Sequence, residues 1–220
     1  MNLDFLRAGG SSADEGVIAR SPMEHLAAAA GARFELRDGW NVAVSYGTEP
    51  AGDAVAWADT SHLPKLELQG SSDAIDAAAG APLEFGTAVR QDDAWWCRLT
   101  GTRALVVGAR PSLDGAEGLD LLDVTSNFAA LTVTGPQARE TFARFCALDL
   151  RPQITPVGAL RPGSIGRQPG ILIAEDEDRY LFLFGCATAE YMWSIVQDAA
   201  EHLGGGPVGV DALTGVTVSA

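Results

Sequence analysis

Two stretches of this 220-residue chain carry one pattern, and that repetition constrains the fold more than any other feature. Asp59 to Gly70 reads DTSHLPKLELQG, and Asp123 to Gly135 reads DVTSNFAALTVTG. Each starts at an Asp, passes a Thr-Ser pair, enters an alternating strand and stops at a Gly that opens a helix. The helices are expected over 72–79 and 136–147, the second with an apolar stripe of Ala138, Phe142 and Phe145. Two copies are too few for a solenoid, so the pattern predicts two related strand–turn–helix halves.

The remaining elements follow from periodicity and punctuation. Ser21, Pro22 and Glu24 fit a capping box, with Ser21 as N-cap, opening a short Ala-rich helix that Gly31 closes. Strands are expected over 33–36 and 40–45, the latter with Val42 and Val44 on one face. Runs 95–99 and 103–107 predict a hairpin. The Pro- and Gly-rich stretch 151–170 reads as a loop. Strands over 171–174 and 180–184 flank the acidic turn Glu175 to Asp178. A helix over 189–203 follows, N-capped by Thr188, with Ala189, Met192, Trp193, Val196, Ala200 and Leu203 as its buried stripe. The alternation is that of an α+β domain over 21–213. Residues 214–220 form a tail. Residues 1–20 read as a flexible arm with an apolar tip, Leu3, Phe5 and Leu6, either disordered or tied down on a neighbour.

Charge excludes whole classes of partner. The chain has 29 acids against 15 bases, a formal net charge of −14, and Lys65 is the only lysine. Such a surface repels nucleic-acid phosphates and anionic lipid heads. Schiff-base and P-loop lysine chemistry have almost nothing to draw on. No apolar run approaches the roughly 20 residues of a membrane helix. The first residues carry Asp4, Asp14 and Glu15 without the apolar core of a secretory signal, so a cytoplasmic protein is expected. Cys97, Cys146 and Cys186 form no CxxC pair and read as small buried hydrophobes.

A search for chemistry finds no constellation. His25 and His202 fall on helices and read as structural or surface residues. His62 sits beside Asp59, Thr60 and Ser61, but neighbours on an extended chain point to opposite sides, which works against a Ser–His pair. Three scattered histidines carry no metal-ligand spacing. Glu175 to Asp178 lacks the spacing of a calcium loop. Catalytic, cofactor-binding and metal residues are therefore each expected to be none. Trp95 and Trp96 are adjacent, so a strand buries one and turns the other outward. The outward ring is either an interface residue or ordinary core or edge packing.

The ordered motifs resemble a known family. AWADTSHLPKLELQG (56–70) is similar to the opening of the folate-binding aminomethyltransferase, or glycine cleavage T protein, fold. ALTVTGPQARETF (130–142) resembles that family's central strand–GlyPro–helix, and AEYMWSIV (189–196) its later helix. Within the superfamily the pattern is similar to the small γ subunits of heterotetrameric sarcosine oxidases. These share the Ser-Pro-initiated helix, the Trp96-Cys97 and Arg103–Val106 hairpin, and the FCALDL ending at 145–150.

The resemblance implies a two-lobed T protein-like fold, without the C-terminal barrel into which the T protein continues. It implies a non-catalytic role beside α, β and δ subunits in a complex that oxidises sarcosine or a related N-methyl amine and passes the one-carbon unit to tetrahydrofolate. FAD, FMN, NAD and tetrahydrofolate are then expected on the partner subunits, with none bound by this chain alone. The alternative is a stand-alone folate-binding or aminomethyltransferase-like protein, with an unrelated binding module behind it. The family's folate-gripping residues do not carry over, because 166–175 reads GRQPGILIAE without the family's Glu context.

Overall fold

The computed structural model describes residues 16–48, 50, 54–111 and 118–214. Leu3, Phe5 and Leu6 lie outside the described residues. In chain order the elements begin with β1 (Ala19–Arg20), α1 (Glu24–Ala29), β2 (Ala32–Arg37) and β3 (Trp40–Tyr46). Next come β4 (Ala56–Asp59), β5 (Lys65–Gly70), α2 (Ser72–Ala79), β6 (Ala88–Gln91), β7 (Ala94–Thr100) and β8 (Arg103–Val107). Then follow β9 (Leu119–Asp123), β10 (Phe128–Thr134), α3 (Ala138–Ala143), β11 (Leu160–Ile165), β12 (Gln168–Asp176) and β13 (Arg179–Gly185). The last elements are α4 (Ala189–Glu201), β14 (Gly206–Pro207) and α5 (Val210–Thr214).

Two sheets carry the architecture. One has the order β11-β12-β13-β10-β4-β14 and the other β6-β7-β8-β5-β9. Period-2 alternation gives each sheet two apolar faces, because both faces are covered. The inner faces share one core, in which Trp95, Cys97, Leu105 and Val107 meet Ala130, Ile173, Leu181 and Leu183. On the outer face of the first sheet, Phe182, Phe184, Leu131 and Val133 pack under Phe142 of α3 and Met192, Trp193 and Val196 of α4. On the outer face of the second, Leu66, Leu68, Trp96 and Val106 pack under Ile75 and Ala79 of α2. The result is four layers, helix–sheet–sheet–helix.

The two copies of the sequence pattern occupy equivalent places, and they exchange strands. The run β4, β5, α2, β6, β7, β8 has the same order and pairings as β9, β10, α3, β11, β12, β13. Within it, β4 pairs with β10 of the other copy, and β9 pairs with β5. Each sheet therefore takes its core from one copy and one strand from the other. Gly70 and Gly135 stand where each second strand turns towards its helix. A Cβ on Gly70 would lie 2.6 Å from Gly118 O, and one on Gly135 2.4 Å from Ala54 O. At Gly135 a φ of +108° also favours glycine.

Several expectations are corrected. Trp95 and Trp96 do alternate, but α2 covers the outer face of β7, so both rings are buried, at 6% and 2% exposure. Neither offers an outward face. The supposed loop over 151–170 contains β11 and the start of β12. Pro162 and Gly163 are tolerated there because β11 is a sheet edge, where a missing N–H leaves no ladder bond unmade. Helix α3 ends at Ala143 rather than 147. The capping box does not form: α1 begins at Glu24, and the Ser21 hydroxyl accepts the Met23 N–H (3.1 Å) while Glu24 pairs with Arg20. Ala19–Arg20, inside the segment read as an arm, pair with β3. Of the cysteines only Cys97 is buried; Cys146 is half-buried and Cys186 exposed.

Glu175, read as part of a solvated turn, joins the two sheets. One carboxylate oxygen accepts the Trp95 indole N–H (2.8 Å) and the other the Arg179 Nε–H (2.9 Å). Glu175→Ala is expected to cost about 1–3 kcal/mol, because it strands a buried indole donor. Urea unfolding of the variant checks this. A loss within a few tenths of a kcal/mol contradicts the link.

Candidate functional site

Several buried polar residues, Asp59, Thr60, Ser61, Lys65 and Thr125, gather where the two copies meet. In each copy an Asp closes its strand and accepts the backbone N–H two residues on. Asp59 takes Ser61 N–H at 3.0 Å, and Asp123 takes Thr125 N–H at 2.9 Å. This local turn competes well with strand continuation, which is why both copies bend at the same point. The hydroxyl two residues beyond each Asp then reaches into the other copy. Ser61 Oγ accepts Ala130 N–H at 3.1 Å, and Thr125 Oγ1 accepts Lys65 N–H at 3.0 Å. Thr60 N–H and Val124 N–H complete the symmetry by donating to Ala130 O and Lys65 O, each at 2.9 Å.

The symmetry breaks at one side chain. Lys65 and Ala130 hold equivalent places, and Lys65 is fully buried. Its ammonium donates to Ser61 O and Leu63 O, both at 2.8 Å, so the lysine staples its own turn from beneath. Burial lowers its pKa to about 8, although Asp59 and Asp123 both favour the charged form.

The two aspartates diverge in how burial and hydrogen bonding balance. Burial raises Asp59 above the usual carboxylate range despite hydrogen bonds from Ser21 and Ser61. Burial acts on Asp123 too, but the Thr125 hydroxyl and the Arg110 guanidinium outweigh it and lower its pKa. His62, on the same turn, is brought to about 4 by burial and by the cations Lys65 and Arg37.

This arrangement is a clasp. The Ser61 hydroxyl is taken up by the Ala130 backbone and by Ser21 (3.4 Å), so it is not aimed at His62. The space bordered by Asp59, His62, Ser21 and Trp40 is about 10 Å³, room for no more than a single water. A cluster with shifted pKa values in a cleft is a catalytic candidate; here, among the described residues, the same shifts arise beside a space of only that size. The sequence signal for the clasp was the Asp–x–Ser/Thr spacing itself. Lys65 stands out in the sequence as the lone lysine, but nothing in its neighbours marks it as buried.

Other singled-out residues lie apart. His25 sits on α1 with Nε2 3.8 Å from Glu190. His202 follows the last turn of α4, its Nδ1 2.7 Å from Asp198 O. Among the described residues no group of three or more His, Cys, Asp or Glu is placed to hold a metal ion. Among the described residues no helix is long and apolar enough to cross a membrane.

No family model and no curated protein sequence matches the chain. Solved structures do. A chain of the heterotetrameric sarcosine oxidase from Corynebacterium sp. U-96, solved with pyrrole 2-carboxylate, superposes with a TM-score of 0.69 at 23% identity. The match covers 84% of this chain and 96% of that one. The glycine cleavage system aminomethyltransferase T from Bartonella henselae gives a TM-score of 0.68 at 17% identity, over 89% of this chain.

The fold is aminomethyltransferase-like. This chain spans 60% of the Bartonella protein's length and nearly all of the sarcosine oxidase chain. A groove of about 820 Å³ runs along β11 and β12. Its walls are Phe128, Ile171, Leu183 and Phe184, with Arg167 and Gln168 at its polar end. A pterin presents adjacent N–H donors that a carboxylate accepts as a pair. The lining contains no acidic residue, so these residues do not fit a pterin.

Proposed function

We propose that this chain is a non-catalytic, γ-type subunit of a sarcosine-oxidase-like heterotetrameric flavoenzyme. That enzyme oxidatively demethylates sarcosine or a related N-methyl amine and passes the one-carbon unit to tetrahydrofolate. The α, β and δ chains are its partners in the cytoplasm, and FAD, FMN, NAD and tetrahydrofolate reside on them.

The likeness to a chain of a heterotetrameric sarcosine oxidase, over 96% of that chain's length, carries this reading. The matched subunit is a short chain, since 84% of this one suffices to cover it. The polar centre, closed by its own backbone bonds, is in keeping with a structural role. A net charge of −14 also suits docking on a basic patch of a larger subunit, with association that weakens as salt rises.

Titration of the isolated chain with tetrahydrofolate separates this role from a stand-alone folate-binding one. No saturable binding is expected below about millimolar ligand. Binding in the micromolar range, followed by calorimetry, contradicts the proposal and favours a folate protein acting alone.

A further inference from the structure

The symmetry between the two copies leaves one position filled in one sheet and open in the other. Outside β4 lies β14, running parallel, with Gly206 opposite Ala56 and Pro207 opposite Trp57. Gly206 N–H donates to Val55 O (3.2 Å) and Val208 N–H to Trp57 O (2.8 Å). Aligning Asp59 with Asp123 makes Leu121 the counterpart of Trp57, and Leu122 that of Ala58. Trp57 and Ala58 are 0% and 1% exposed, whereas Leu121 and Leu122 are 51% and 45% exposed. Strand β9 ends its sheet, and among the described residues nothing pairs with its outer edge. An edge with free backbone groups and a leucine exposed on each face is a template for strand addition.

We propose that the outer edge of β9 takes an extended apolar segment of a partner polypeptide carrying basic side chains, parallel to β9 as β14 lies on β4. This rests on the reading of the chain as a subunit of a larger assembly. The charge selects the occupant. Asp120 is exposed on β9, next to Leu121 and on the face of Leu122 and Glu67. Glu67 is already satisfied by Arg103, at 2.6 and 2.8 Å. A second copy of this chain brings the same acidic strand and another net charge of −14 to the contact, so like charges face each other. A basic segment pairs with Asp120 and covers both leucines.

The test uses the isolated chain and two capped octapeptides, one of alternating Val and Arg and one of alternating Val and Glu. Hydrogen exchange at 119–123 is expected to slow with the Arg peptide and not with the Glu peptide. Leu121→Ser with Leu122→Ser, which removes the apolar area without adding charge, is expected to weaken the Arg peptide about tenfold. Asp120→Lys, which keeps both leucines, weakens it a few-fold even if the double variant folds poorly. Unchanged exchange at 119–123 with the Arg peptide, or equal slowing by the Glu peptide, overturns the proposal. Slowing that grows with protein concentration in the absence of peptide also overturns it, because a second copy then fills the edge. These outcomes do not depend on whether a flavoenzyme is found with the chain, so each reading can fail alone.

Discussion

Lys65→Ala is expected to lower the free energy of unfolding by about 4 kcal/mol. The side chain is fully buried, so truncation opens a cavity where its four-carbon stem packs. It also removes the donor shared by Ser61 O and Leu63 O. Lys65→Met keeps most of the stem and loses only the ammonium, so its cost falls to about 1–2 kcal/mol. The pair of variants separates packing from hydrogen bonding. The ionisation adds a sign. With a folded pKa of about 8 against 10.5 for the free side chain, the folded state releases the proton first. Stability from this group therefore rises between pH 8 and 10.5, and Lys65→Met abolishes the rise. Denaturant unfolding at pH 7, 8 and 10 measures both effects. An Ala variant within 1 kcal/mol of the parent contradicts the clasp.

The second large effect lies on the acid side. His62 has a folded pKa of about 4 and an ordinary value of 6.5. Between those values the unfolded chain takes up a proton that the folded chain refuses. The stability His62 contributes is thus complete above pH 6.5 and lost as pH falls through 4, by about 3 kcal/mol. Asp59, raised by burial, works in the opposite direction: its contribution is present at low pH and lost as pH rises through its folded value. The difference between the parent and His62→Gln isolates the histidine. The variant is expected to unfold with a flatter dependence from pH 6.5 to 4, and parallel curves for the two contradict this.

Much of the secondary structure was legible because strands covered on both faces read as near-continuous apolar runs bounded by turn residues. The hairpin β7–β8, strand β13 and helix α4 all follow from spacing alone. Helix α2 is marked by its cap, since the Ser71 hydroxyl accepts Ala74 N–H as the chain leaves Gly70. What stayed hidden depended on the other copy. Nothing local says that β4 joins the sheet of β10, or that Trp96 lies beneath α2. Strand β11 was obscured by Pro162 and Gly163, which only an edge position permits. Strand β9, reading LDLLD, has no clean alternation because both its faces meet solvent. At the polar centre, Asp59 and Asp123 were legible as a repeated mark, but their purpose was not. The hydroxyls beside them act across 60 and 69 residues of chain, a contact no local pattern reports.

The measurement that bears most directly on the central claim is isolation of the tagged chain from its native cell at low salt, with partners identified by mass spectrometry and flavin by absorbance. The account predicts a stable assembly with two larger chains and a small one, carrying bound flavin, that dissociates as salt rises. A clean monomer without any flavoprotein contradicts it.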